Sequence, residues 1–141
     1  MITTLVLLAG LGAAREYVTL SANFVAPAKP GGSAAIAVTF VPTDPEVHVN
    51  EEPAPRLKLD PAQKILVDKQ PPAPTRGVAF DPDTAKYLDA RTPVSFPVAW
   101  APGAPKGAQS VRASVTYFFC SKREGWCRKG TADVEVALKV P

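Results

Sequence analysis

The sequence predicts an all-β chain, an antiparallel β-sandwich of the immunoglobulin-like kind. Apolar and polar residues alternate with a period of two through several short stretches. Turn-forming residues separate those stretches, and sixteen prolines are spread over 141 residues. Prolines placed in this way disfavour helices and mark turns and edge strands. About seven or eight short strands divided by turn signals are the pattern of two packed antiparallel sheets. Neither βαβ alternation, nor a glycine-rich phosphate loop, nor an internal repeat argues for another class. The length suits one domain with a modest core.

Taken in order, Val18, Leu20, Ala22 and Phe24 alternate with Thr19, Ser21 and Asn23, which predicts a half-buried first strand. Pro27 to Gly32 is a loop by composition. Ala34 to Val41 is nearly continuous in apolar residues and reads as a strand covered on both faces. Pro42-Thr-Asp-Pro45 turns the chain into a short strand at Val47-His-Val-Asn50, and Leu57-Lys-Leu59 is another. Ile65 to Val67 and Gly77 to Phe80 are strand candidates, separated by the proline-rich Gln70-Pro-Pro-Ala-Pro74. Asp83 to Asp89 has the composition of one helical turn. Val94 to Trp100 alternates again, with Pro97 pointing to an edge or a bulge. Ala101 to Gly107 is a loop, and the strongest strand signals fall at about 110–120 and 130–140.

The first fourteen residues, Met1 to Ala14, are an apolar run ending in small residues. Gly12 and Ala14 suit the positions before a signal-peptidase cut that leaves Arg15 as the new N-terminus. The expected organisation is therefore a signal peptide over 1–14 and a single immunoglobulin-like domain over 15–141, periplasmic or secreted and monomeric. No other stretch approaches the ~18 apolar residues of a membrane span, so no span is expected in the mature chain. The net charge is +3 and no basic stripe interleaves with aromatics, which gives nucleic-acid binding little support.

Cys120 and Cys127 are the two cysteines of the chain, and both fall at the end of the last strand pair. Setting them opposite one another fixes a register. It places Val111 opposite Val136 and Ala113 opposite Val134 on one face, and Arg112 opposite Glu135 on the other, a complementary charge pair. A slip of one residue would mix the faces. A bulge at Gly130 remains compatible with this pattern. An exported chain with an even cysteine count meets an oxidising compartment, where a bond between the two is chemically permitted.

Two uses of the pair stand side by side. As a staple closing a short hairpin it stabilises by about 2.5 kcal/mol at most. As a reversible dithiol it would carry electrons, because a bond at an exposed tip is open to an attacking thiolate. Lys122, Arg123, Arg128 and Lys129 are its sequence neighbours, and positive potential favours the thiolate that exchange requires. Cys127, flanked by Arg128 and Lys129, is the expected attacking sulfur. Phe118, Phe119 and Trp126 are candidates to cover the sulfurs until a partner displaces them.

Other candidates carry less. His48 is the one histidine, and a His-Cys-Cys metal site requires the fold to bring it to the hairpin tip. The cysteine spacing lacks a zinc-finger partner pair, and Met1 is the sole methionine, so neither a metal nor another cofactor is expected. No Gly-x-Ser-x-Gly elbow accompanies His48. Glu51, Glu52, Asp81, Asp83 and Asp89 read as solvated loop acids. Phe96, Trp100 and Tyr87 read as packing residues, with Trp100 at the sandwich centre.

The segment from Tyr117-Phe-Phe-Cys120 through Cys127-Arg-Lys-Gly-Thr131, followed by an alternating strand, resembles the periplasmic N-terminal domain of DsbD-type thiol:disulfide interchange proteins. It is most similar to the stand-alone disulfide bond corrector relatives of that domain. Pro30-Gly-Gly, the Ala35–Val41 strand, and Val47-His-Val-Asn-Glu-Glu-Pro53 leading into Leu57-Lys-Leu-Asp-Pro61 add to the likeness. It spans residues 25–61 and 111–140. The resemblance implies an immunoglobulin-like sandwich in which Cys120 and Cys127 alternate between dithiol and disulfide, with Phe119 and Trp126 as a protective cap. It also implies a separate thioredoxin-like or membrane thiol reductase protein as partner, because the membrane and thioredoxin-like domains of the best-known members are missing from this sequence. The cysteines here are one residue further apart than in those members. The alternative is a non-catalytic sandwich, a binding or accessory module whose hairpin disulfide is structural.

Overall fold

The computed structural model describes residues 17–72 and 86–141. Among them are eight strands and no helix: β1 (Val18–Val25), β2 (Ala34–Pro42), β3 (Val47–Val49), β4 (Arg56–Leu59), β5 (Leu66–Asp68), β6 (Val94–Trp100), β7 (Gly107–Ser121) and β8 (Trp126–Val140). They form an antiparallel β-sandwich. One sheet runs β1-β2-β6-β5. In the other, β8 pairs with β7 along its whole length. The short strands β3 and β4 therefore share the opposite edge of β7, β3 beside residues 119–121 and β4 beside 113–116.

Alternation decides which side chains meet between the sheets. The first sheet contributes Ile36, Val38, Phe40, Phe96 and Val98. The second contributes Val47, Val49, Leu57, Val111, Val115, Tyr117, Phe119, Val136 and Leu138, all buried. Each such aliphatic or aromatic side chain removed from water stabilises the fold by roughly 1.5–3 kcal/mol. The hairpin register is the one the cysteines imply: Val111 faces Val136, Ala113 faces Val134 and Arg112 faces Glu135. On the outer face Arg112 Nε lies 3.6 Å from Glu135 Oε2, and Ser110 Oγ donates to Glu135 Oε1 at 2.6 Å.

Several expectations are corrected. The last two strands are longer than 110–120 and 130–140. They run to a turn at 122–125, where Gly125 N donates to Ser121 O at 2.9 Å and Gly125 takes a φ of 71°. No bulge interrupts the ladder at Gly130, which pairs with Tyr117. Pro97 is on an interior strand, between β2 and β5, rather than at an edge. Its carbonyl accepts from Lys69 N at 3.0 Å, so its missing N–H faces the same side, just past the end of β5. Residues 86–89 are extended instead of helical, with Tyr87 bridging Asn50. Trp100 sits at the rim of the core against Phe24, ring centroids 5.2 Å apart, while Phe96 is fully inside. The expected leader at 1–14, the strand candidate Gly77–Phe80, and Asp81 and Asp83 lie outside the described residues.

Candidate functional site

Cys120 and Cys127 are direct cross-strand partners on β7 and β8 and are joined by a disulfide, S–S 2.05 Å and Cα–Cα 4.0 Å. The ladder explains why they meet. Asn50 N donates to Phe118 O at 2.7 Å, so the peptide groups of Phe118 and, two residues on, Cys120 point toward β3. The Cys120–Cys127 rung is thus a non-hydrogen-bonded one, where opposed Cα atoms approach most closely.

The two sulfurs stand on the face of the hairpin that turns away from the core, yet their environments differ. Cys120 is 0% exposed, whereas Cys127 is half-buried. The difference comes from what adjoins each strand. Among the described residues β8 pairs with no strand besides β7, while Cys120 has β3 on its other side, with His48 as its Cα partner. Asn50, also on that face and 1% exposed, brings its side-chain Oδ1 to 3.2 Å from Cys120 Sγ. A further strip of chain covers β3: Glu51 N donates to Lys86 O at 2.7 Å and Leu88 N to Val49 O at 2.8 Å. Tyr87 then stacks on His48, ring centroids 4.8 Å apart, and Lys122 Nζ lies 5.3 Å from the Tyr87 ring.

The aromatic cover expected from sequence is divided by the same alternation. Phe118 shares the face of the sulfurs. Phe119 and Trp126 project to the opposite face, where both pack with Tyr17 at centroid distances of 5.8 and 5.1 Å. They support the end of the core and do not cap the disulfide. Arg128 follows them, its guanidinium 4.1 Å from the Trp126 ring. Arg123 reaches Asp44 at 3.4 Å. Of the four cations flanking the cysteines in sequence, Lys122 and Lys129 remain on the disulfide side.

The fold does bring His48 to the hairpin tip, as a His-Cys-Cys site would require. Its ring is engaged by Tyr87, and both sulfurs are engaged with each other. Among the described residues no group of three or more His, Cys, Asp or Glu side chains is placed to share a metal ion. Nor is any helix there long and apolar enough to cross a membrane. Glu51, Glu52 and Asp89 are exposed, in keeping with solvated acids.

Asn50 and Tyr87 are the residues that sequence reasoning missed. The alternation Val47-His48-Val49-Asn50 already puts Asn50 in phase with His48, away from the core. Linking that face to the cysteines needs the β3–β7 pairing, which local pattern does not contain.

No family model, curated protein or solved structure matches this chain.

Proposed function

We propose that this chain is a thiol–disulfide interchange domain that passes electrons through Cys120 and Cys127. The observation that carries the reading is the unequal burial of one disulfide: Cys127 is half-buried and Cys120 is fully buried. Exchange requires one sulfur open to attack, and the other becomes the leaving group. A partner thiolate attacks Cys127 Sγ, the Cys120–Cys127 bond breaks, and the electron pair leaves on Cys120 Sγ. A second thiol of the partner then attacks the partner's own sulfur in the mixed disulfide and releases the Cys127 thiolate. Two protons from solvent complete the thiols, and two electrons have moved from the partner dithiol to this chain. Run in reverse, Cys127 attacks a disulfide and Cys120 resolves it.

The strand orders β1-β2-β6-β5 and β3/β4-β7-β8 correspond to the A-B-E-D and C-F-G sheets of a constant-type immunoglobulin domain. That correspondence supports the immunoglobulin-like assignment and the likeness to the DsbD N-terminal and disulfide bond corrector domains. The partner in this reading is a thioredoxin-like protein or a membrane thiol reductase, and the compartment is the periplasm or the exterior. A second reading, an accessory sandwich with a structural disulfide, is favoured by the complete enclosure of Cys120.

Two measurements separate the readings. A Cys120→Ser variant, which keeps the more exposed sulfur and removes the resolving one, is expected to attack the disulfide form of a partner and accumulate a covalent adduct in the native compartment, while Cys127→Ser does not. The wild-type reduction potential is expected to lie in the range of exchange proteins. A value below about −300 mV assigns the bond to the staple and overturns the exchange reading.

A further inference from the structure

We propose that Asn50 is a positioning residue for exchange: its buried side-chain amide holds and stabilises the Cys120 sulfur in the state in which it leaves. This rests on the exchange reading above and deepens it. Asn50 is a polar side chain that the sequence pattern alone would leave on an outer face, yet it is 1% exposed and its Oδ1 lies 3.2 Å from Cys120 Sγ. Nearly full burial of an amide is costly unless it bonds something, and the sulfur is what stands before it.

In the disulfide form Asn50 turns Oδ1 toward Sγ, a contact without a hydrogen bond, because a bridged sulfur carries no proton. A thiol carries one, and Asn50 in this same orientation accepts a hydrogen bond from it on Oδ1. A thiolate can only accept, and a half-turn of the amide about its last bond directs Nδ2–H at it. The three states share one neighbour. The thiolate gains most, since a hydrogen bond to an ionised acceptor is roughly twice as strong as a neutral one. With 0% exposure, Cys120 has no solvent to stabilise the electron pair it receives when the bond to Cys127 breaks. Burial alone disfavours that thiolate, and a hydrogen bond to the charged form opposes the penalty.

Among the described residues, the charged and titratable side chains near the disulfide on this face include His48 on β3, Tyr87 in the strip beyond it, Lys122 in the turn and Lys129 on β8. His48 and Tyr87 are stacked on each other, and Lys122 is directed at the Tyr87 ring. Lys129 stands opposite Phe118 and beside Cys127. Among the described residues, the side-chain amide within hydrogen-bond range of the enclosed sulfur is that of Asn50.

The test uses the full chain with Asn50→Leu, which keeps volume and removes both polar ends, and Asn50→Asp, which keeps shape and adds negative charge. In a Cys127→Ser background, the Cys120 thiolate fraction is followed by its ultraviolet absorbance from pH 6 to 11. In the two-cysteine protein, the dithiol–disulfide equilibrium is measured against glutathione. Both substitutions are expected to lower the thiolate fraction at a given pH about tenfold and to shift the equilibrium toward the disulfide, with melting of the oxidised form used to confirm folding. If Asn50→Leu does not fold, Asn50→Asp carries the test. Thiolate fractions and equilibria within twofold of the parent in the folded variants would overturn the role of Asn50. A wild-type disulfide that exchange proteins cannot reduce would overturn the exchange reading instead, while the absorbance titration would still report on Asn50.

Discussion

The ring of Tyr117 lies directly over Gly130 across the β7–β8 ladder: a Cβ built on Gly130 would stand 2.5 Å from Tyr117 Cζ. The glycine gives its place on the inner face to the aromatic ring of its cross-strand partner. The same ring packs on Phe40 of the other sheet, centroids 5.4 Å apart, so it has little freedom to retreat. Gly130→Ala is therefore expected to destabilise the domain by about 1–3 kcal/mol, the usual cost of forcing an extra methyl into a packed site. Urea unfolding checks this, and an unchanged midpoint would mean the ring moves aside freely.

Trp126 and Cys127 are adjacent in sequence and point to opposite faces of β8. If Trp126 supports the core end with Tyr17 and Phe119, removing it should cost stability without exposing the sulfurs. Trp126→Ala is expected to lose about 1–3 kcal/mol, below the range for a fully buried aromatic because this one is half-buried. Reduction of the native disulfide by dithiothreitol should stay within twofold of the wild-type rate. A tenfold faster reduction would mean that the indole shields the bond after all.

The hairpin was the most legible part of the chain because two independent signals, the cysteines and the alternation, demanded the same register. Short strands such as Leu57–Leu59 and Val47–Val49 were also visible, since their apolar positions bury on one face only. The misreadings share a physical cause. Pro97 looks like an edge residue until Lys69 is seen to bond its carbonyl just beyond the last residue of β5. Tyr87 looks like packing or helix until Asn50 pairs with it. Local pattern fixes which face a residue takes, but not which strand arrives beside it. The enclosure of Cys120 belongs to that second kind, because neighbours some seventy residues away create it.

Gln70 supplies a rung that no strand provides. Its side-chain Nε2 donates to Leu57 O at 2.7 Å and its Oε1 accepts from Leu57 N at 3.1 Å, so one amide satisfies both backbone groups of a buried β4 residue. The free edge of β4 is closed by this contact, and Arg56 Nη1 donating to Pro71 O at 2.7 Å holds the same stretch in place. Because the chain reaches Gln70 directly from β5 in the other sheet, the amide also ties the two sheets together at that margin. Truncation leaves the Leu57 N–H and C=O without protein partners, a loss of about 1–3 kcal/mol when such groups are shielded from water. Gln70→Ala should lower stability by that amount and speed hydrogen exchange of the Leu57 amide at least tenfold, with the β7–β8 amides unaffected after correction for global stability. Exchange at Leu57 no faster than in the wild type would show that water or a neighbouring group replaces the glutamine at no cost.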